Sequence, residues 1–128
     1  MNFKLELVAI PVTDVDRAKD FYVRAGFNAD HDHRVSDELR FVQLTPAGSA
    51  CSICIGEGIT PAEPGSVRGM QMVVDDIEAA REQLVGAGIE VTEIDRQAWG
   101  DFVYFQDPDG NSWALQQIKQ MGGGEDAA

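Results

Sequence analysis

Val12-Thr13-Asp14-Val15-Asp16-Arg17-Ala18 returns later in the chain as Val74-Asp75-Asp76-Ile77-Glu78-Ala79-Ala80, every position shifted by 62 (74 − 12). The same shift carries Val23-Arg24-Ala25-Gly26-Phe27 onto Val85-Gly86-Ala87-Gly88-Ile89. It also carries Thr45-Pro46-Ala47-Gly48-Ser49 onto Asp107-Pro108-Asp109-Gly110-Asn111. Identities are sparse, but the matches fall on turn and core positions, which two copies of one module must share. Without a gap, Leu7 to Cys54 aligns onto Gly69 to Gln116.

Each copy predicts the same elements. Leu5 to Val12 and Gly69 to Val74 are apolar alternating runs and predict strands. Asp14 and Asp76 stand at helix N-cap positions, and Val15, Ala18, Tyr22 and Ala25, then Ile77, Ala80, Leu84 and Ala87, keep helical spacing. Gly26 and Gly88 provide the left-handed residue that ends a helix. Three further strands follow in each copy, the last two joined at Pro46-Ala47-Gly48 and Pro108-Asp109-Gly110. The expected organisation is a single domain over 1–121, with modules at about 1–56 and 66–119, a linker at 57–65 and a disordered tail at 122–128.

A chain of 128 residues suits one domain with its own core. Met1 to Val8 alternates charged and apolar residues instead of running apolar, so no signal peptide or membrane helix is expected and the protein reads as cytoplasmic. The net charge of −12 repels phosphate backbones and anionic lipid, which argues against nucleic-acid or membrane partners. Cys51 and Cys54 imitate a Cys-x-x-Cys motif. On a strand, residues three apart face opposite ways, and no second pair exists to complete a zinc site, so both read as structural thiols of a reducing compartment.

The segment from Val8 to Ala18, followed by Phe21-Tyr22 and Gly26-Phe27, together with Phe105-Gln106-Asp107-Pro108-Asp109-Gly110-Asn111 and the tandem repeat, resembles the vicinal oxygen chelate superfamily. That group contains glyoxalases, bleomycin resistance proteins and extradiol dioxygenases, and the resemblance covers nearly the whole chain. It implies an α+β fold of two tandem βαβββ modules. Their eight strands form a cupped, mixed and mostly antiparallel sheet with the helices outside. It also implies a cavity between the modules, completed in a homodimer. Fold does not carry function, since the group holds isomerases, dioxygenases, thiol transferases and binding proteins.

Metal-using members place His, Glu or Gln on the first and last strand of each module. Carried over by the repeat, those positions fall on Leu7, Ser52, Gly69 and Ala114. Three of these residues have no donor atom in the side chain and serine is a poor ligand alone, so neither a metal at this site nor a cofactor is expected. Strand alternation then turns Leu7, Ser52, Cys54, Gln71, Ala114 and Gln116 toward the cavity and, traced through the Pro-Gly turns, Arg40, Val42, Phe102 and Tyr104 as well. An apolar pocket with a few polar anchors is the composition of a small-molecule site. Arg40 reads either as an anchor for an anionic ligand or as a salt-bridge partner of Asp37, Glu38 or Asp101. Trp99 reads either as a stacking lid or as a core or interface residue.

His31 and His33 share a strand face, a common way to hold a metal. Counting from Phe27 puts them away from the cup unless the strand bulges. Glu57 is the nearby carboxylate able to act as a base, and otherwise is a solvated linker residue. Three functions follow. The first is metal-independent binding of a small organic molecule. The second is a metal-independent isomerase, lyase or cyclase using Arg40, Tyr104 or Glu57. The third is a metal-dependent lyase or dioxygenase with relocated ligands. No nucleophile–base pair is visible, so binding is the leading expectation.

Overall fold

The protein is described here from a computed structural model, over residues 1–119; the tail expected at 122–128 lies outside the described residues. The elements run β1 (Leu7–Ala9), α1 (Val15–Arg24), β2 (Phe27–Arg34), β3 (Arg40–Pro46), β4 (Ser52–Glu57), β5 (Met70–Val73), α2 (Ile77–Gly86), β6 (Asp95–Gln97), β7 (Gly100–Gln106) and β8 (Ser112–Ile118). This is the α+β order of two tandem βαβββ modules, and its strands are hydrogen-bonded as two mixed sheets of four. The chain divides into two compact units. Unit 1 comprises Met1–Val67 with Asp107–Asn111, and unit 2 comprises Arg68–Gln106 with the chain from Ser112 onward. Among the described residues no helix is long and apolar enough to cross a membrane.

In unit 1 the strand order is β1-β4-β3-β2, with β1 parallel to β4 and the other pairs antiparallel. Asp14 caps α1, its carboxylate accepting from the Arg17 N–H at 3.0 Å. Gly26, at φ 110°, turns the chain into β2 as expected of a left-handed residue after a helix. Val15, Ala18, Phe21 and Tyr22 bury one stripe of α1. Ile10, Val42, Leu44, Ile53 and Ile55, all essentially without exposure, complete the apolar core. Each such side chain contributes about 1.5–3 kcal/mol by leaving water.

The Asp107–Asn111 turn is the polar centre of unit 1. Asp107 accepts from the Tyr22 hydroxyl at 2.8 Å, from the backbone N–H groups of Asp109 and Asn111 at 2.9 Å, and from the Asn111 amide at 2.8 Å. Asn111 also donates to the Pro11 carbonyl at 2.8 Å and accepts from the Val67 N–H at 3.1 Å. Asp109 receives the Thr13 hydroxyl at 2.7 Å. The motif that carried the family resemblance is thus a fully bonded polar plug.

In unit 2 the order is β5-β8-β7-β6, with β5 parallel to β8. Asp76 caps α2 by accepting from Glu78 and Ala79 N–H, and Gln117 on β8 accepts the Ile77 N–H at 2.8 Å. The helix-side core holds Ile77, Leu84, Ile89, Val103 and Leu115. There, Phe105 and Trp113 lie opposite each other on β7 and β8, with ring planes 6° apart.

Candidate ligand-binding site

Each sheet has one face under its helix and one face away from it. In unit 1 the open face is marked by Leu7, which registers with Ser52, and by Ala9, which registers with Cys54. Ser52 and Cys54 are nearly inaccessible, at 6% and 4% exposure, and burial pushes the Cys54 thiol pKa upward. The Ser52 hydroxyl lies 2.6 Å from that of Thr45 and accepts from the Gln43 amide at 3.3 Å. Thr45 in turn donates to Asp30, and this bond, with a second from Asn28, holds the Asp30 carboxyl below its usual range.

Arg40 and Val42 do not share that face, contrary to expectation. Val42 is fully buried beside Leu44 in the helix-side core. Arg40 donates from Nε and Nη2 to Asp32 at 3.0 and 2.8 Å and from Nη2 to Asp16, on the first turn of α1, at 2.9 Å. Lys19 of α1 adds a contact to Asp32 at 2.8 Å. Arg40 is therefore ion-paired, though to neither Asp37, Glu38 nor Asp101. Its Asp32 and Asp16 partners raise the guanidinium pKa, and the bonds from Arg40 and then Lys19 drive the Asp32 carboxyl far below its usual range.

The error is one of register. Leu44 opposes Ile53 in β3–β4, which sets Thr45 against Ser52 one step on, whereas Tyr104 opposes Ala114 in β7–β8. Since Ala114 matches Ser52 (52 + 62), Tyr104 matches Thr45, not Val42, a displacement of three residues (45 − 42). An odd displacement turns every side chain over. The two hairpins close differently: Ser49 N–H bonds the Pro46 carbonyl in one, while Asp107 N–H bonds the Asn111 carbonyl in the other.

Two further expectations shift for the same kind of reason. Gln71, not Gly69, registers with Ala114, so Gln71 is the counterpart of Leu7. The displacement is two residues (71 − 69), so the face is kept. In β2 the register slips between Ala29 and His31, leaving Asp30 as a bulge. Beyond it His31 opposes Gln43 and His33 opposes Phe41, which places both imidazoles on the open face. Glu57 pairs with Arg34 at 2.9 Å and is half-buried. Among the described residues no group of three or more His, Cys, Asp or Glu is placed to hold a metal ion.

In unit 2 the open face carries Gln71, Phe102, Tyr104, Ala114 and Gln116 together, fixed by the pairs Phe102 with Gln116, Tyr104 with Ala114 and Gln71 with Ala114. The Phe102 and Tyr104 rings stack with centroids 6.1 Å apart and planes 5° from parallel; Tyr104 is 40% exposed. The Tyr104 hydroxyl donates to Asp95 at 3.1 Å, and the Gln97 amide donates to the same carboxylate at 2.9 Å. Burial, and then the Asp95 carboxylate, push the Tyr104 phenol pKa up, so the group acts as a donor. Gln71 donates to Gln116 at 2.7 Å. Gly100 makes room for that amide, since a Cβ there would meet Gln116 Nε2 at 2.6 Å. Val73 and Ile118 extend the face as exposed apolar residues. Trp99, 54% exposed in the β6–β7 hairpin, is no core residue.

Gln43, Thr45, Asp95 and Gln97 are open-face residues that sequence reasoning missed. For Gln43 and Thr45 the signal was present: Val42-Gln43-Leu44-Thr45 alternates apolar and polar, which assigns the apolar pair to the core. Asp95 sits on a three-residue strand with no apolar pattern to mark it.

Residues 4–115 match the Glyoxalase/Bleomycin resistance protein/Dioxygenase superfamily. Among solved structures, the chain is similar to TnmS3, an antibiotic binding protein from Streptomyces sp. CB03234, with 33% identity, a TM-score of 0.83, and coverage of 92% of this chain and 98% of that one. A glyoxalase/bleomycin resistance protein from the same organism is 34% identical, with a TM-score of 0.78 and coverage of 89% and 100%. The uncharacterized protein YetH of Bacillus subtilis (strain 168) is 27% identical over 113 residues, 86% of this chain and 94% of YetH. With the tandem βαβββ order, these matches establish that the chain belongs to the glyoxalase/bleomycin resistance/dioxygenase superfamily, the vicinal oxygen chelate group.

Proposed function

We propose that the protein binds a small, partly planar organic molecule, with the open face of unit 2 as its platform. The observation that carries this reading is the parallel Phe102–Tyr104 stack, in which Phe102 is buried and Tyr104 is 40% exposed, with hydrogen-bonding groups at its border. Stacked rings extend an aromatic surface onto which a further planar group adds at about 0.5–1.5 kcal/mol beyond its area. The Gln71–Gln116 amides and the Asp95 carboxylate supply donors and acceptors for orientation. The similarity to an antibiotic binding protein supports a ligand of that kind. Arg40, tied to two carboxylates behind the sheet, gives no reason to require an anionic ligand.

The test is a fluorescence titration with metal-free bleomycin and a panel of aromatic antibiotics, read from the exposed Trp99. A saturable change is expected for at least one compound. For that compound, Tyr104→Ala weakens binding about tenfold, the equivalent of one lost stacking contact with its area. Tyr104→Phe keeps the stack and costs little. Saturable binding that Tyr104→Ala leaves unchanged places the ligand elsewhere, and no saturable binding to any member of the panel removes the proposal.

A further inference from the structure

Asp95 stands at the edge of the unit 2 platform, and its surroundings differ from those of the strand carboxylates on the helix sides. There, Asp32 is held by Arg40 and Lys19, and Asp101 by Arg96 and Lys119. Asp95 opposes Phe102 on the open face and is part-buried. Its partners among the described residues are neutral: the Gln97 amide donates at 2.9 and 3.1 Å and the Tyr104 hydroxyl at 3.1 Å. Nearby cations are committed elsewhere. Arg96 opposes Asp101 and pairs with it and with Glu78. Lys119 binds Asp101 and the Gln97 carbonyl, and Arg81 binds Glu93 and the Thr92 carbonyl. A carboxylate accepts at about four lone-pair sites, so three neutral bonds leave room for a further donor. They also leave its charge in place, beside the negative π faces of Phe102 and Tyr104.

We propose, on the reading of this face as the ligand platform, that the ligand is a planar organic cation, its protonated nitrogen set against Asp95 and its rings laid on the Phe102–Tyr104 stack. An aromatic amine or amidine conjugated with the ring system has this chemistry. Its N–H makes a charge-assisted bond to the carboxylate, roughly twice as strong as a neutral one. Its charge is also attracted to an aromatic face, which a neutral ring system does not gain. A neutral planar ligand covering this edge takes water from Asp95 without supplying a counter-charge, and an anionic ligand adds repulsion. Burial, and then Asp95, push the Tyr104 phenol pKa up, so the hydroxyl stays a donor to the carboxylate and does not become a competing anion.

Fluorescence titration of the full chain with two dyes tests it: proflavine, a planar cation with N–H donors, and acridine, the same ring system and neutral at slightly alkaline pH. Proflavine should bind saturably and about tenfold more tightly than acridine, the factor that one charge-assisted bond supplies. Asp95→Asn keeps an oxygen to accept from Tyr104 and Gln97. It should weaken proflavine about tenfold and leave acridine nearly unchanged. Glu82→Gln, at an exposed position of α2, makes the same change in net charge away from the platform and should alter neither affinity. The net charge of −12 attracts any cation, and a bulk effect of that kind would weaken proflavine equally in both variants, which overturns the proposal. So does acridine binding as tightly as proflavine, proflavine indifferent to Asp95→Asn, or an Asp95→Asn that weakens both dyes alike. Equal binding of the dyes that Tyr104→Ala weakens removes the cation inference and leaves the platform standing. Absence of saturable proflavine binding removes the inference too, and the antibiotic panel then judges the platform by itself.

Discussion

Asn111→Ala lowers the free energy of unfolding by about 3 kcal/mol, estimated from three lost hydrogen bonds and two backbone groups left without partners. The side chain is fully buried. Its amide donates to the Pro11 carbonyl and to Asp107, and its oxygen accepts the Val67 N–H. Alanine removes all three bonds and takes these partners from the Pro11 carbonyl, on a buried residue, and from the Val67 N–H, on a part-buried one. Asn111→Asp is worse, since a second carboxylate would then face Asp107 where an amide donor now lies at 2.8 Å. Tyr22→Phe, which removes one donor to Asp107 while keeping the ring, costs about half as much as Asn111→Ala. Urea denaturation of the four proteins measures this ranking. An Asn111→Ala loss below about 1 kcal/mol would show that solvent replaces these bonds and that the turn is not the closed polar plug described.

The features legible in the sequence are those decided by neighbours along the chain. Asp14 and Asp76 cap their helices because a carboxylate at that position reaches N–H groups two or three residues on, whatever the rest of the fold does. Gly26 and Gly88 adopt positive φ for an equally local reason. The open face of unit 2 is also readable, because Phe102 and Tyr104 trace back from Ala114 through a turn that keeps the repeat's register. What failed depended on which residue of one strand meets which residue of another. A different turn between β3 and β4 slid the pairing by three and sent Arg40 and Val42 to the helix side. One extra residue, Asp30, brought His31 and His33 to the open face. A longer connection before α1 made Gln71 rather than Gly69 the partner position of Leu7. A repeat with sparse identity fixes helix and turn positions but carries no information on such slips. The alternation Val42-Gln43-Leu44-Thr45 was the better guide, because burial acts on each strand directly.

Arg40→Met destabilises the protein by about 2 kcal/mol and leaves ligand affinity near the wild-type value, the opposite of what a cavity-facing arginine would do. Methionine keeps the aliphatic stem and removes the guanidinium, so the loss reports the charge contacts. Of these, the two-point bond to Asp32 dominates: Arg40 is only 14% exposed and Asp32 29%, while Asp16 at 81% is screened by water and adds little. The same contacts set the acid response. Asp32 has a folded-state pKa well below its ordinary 3.8, through Arg40 first and Lys19 second. A depressed carboxyl contributes stability that is fully present above the unfolded value and is lost as pH falls through that value toward the folded one. Wild type should therefore lose this contribution on acidification below about pH 4. In Arg40→Met only Lys19 still holds Asp32 down, so less remains to be lost, and the two stability curves converge toward low pH. Denaturant unfolding at neutral pH and at successively lower pH measures the gap. If Arg40→Met is as stable as wild type at neutral pH, the Asp32 and Asp16 contacts do not hold α1 against the sheet. If the gap widens with acid, the depressed carboxyl is not its source.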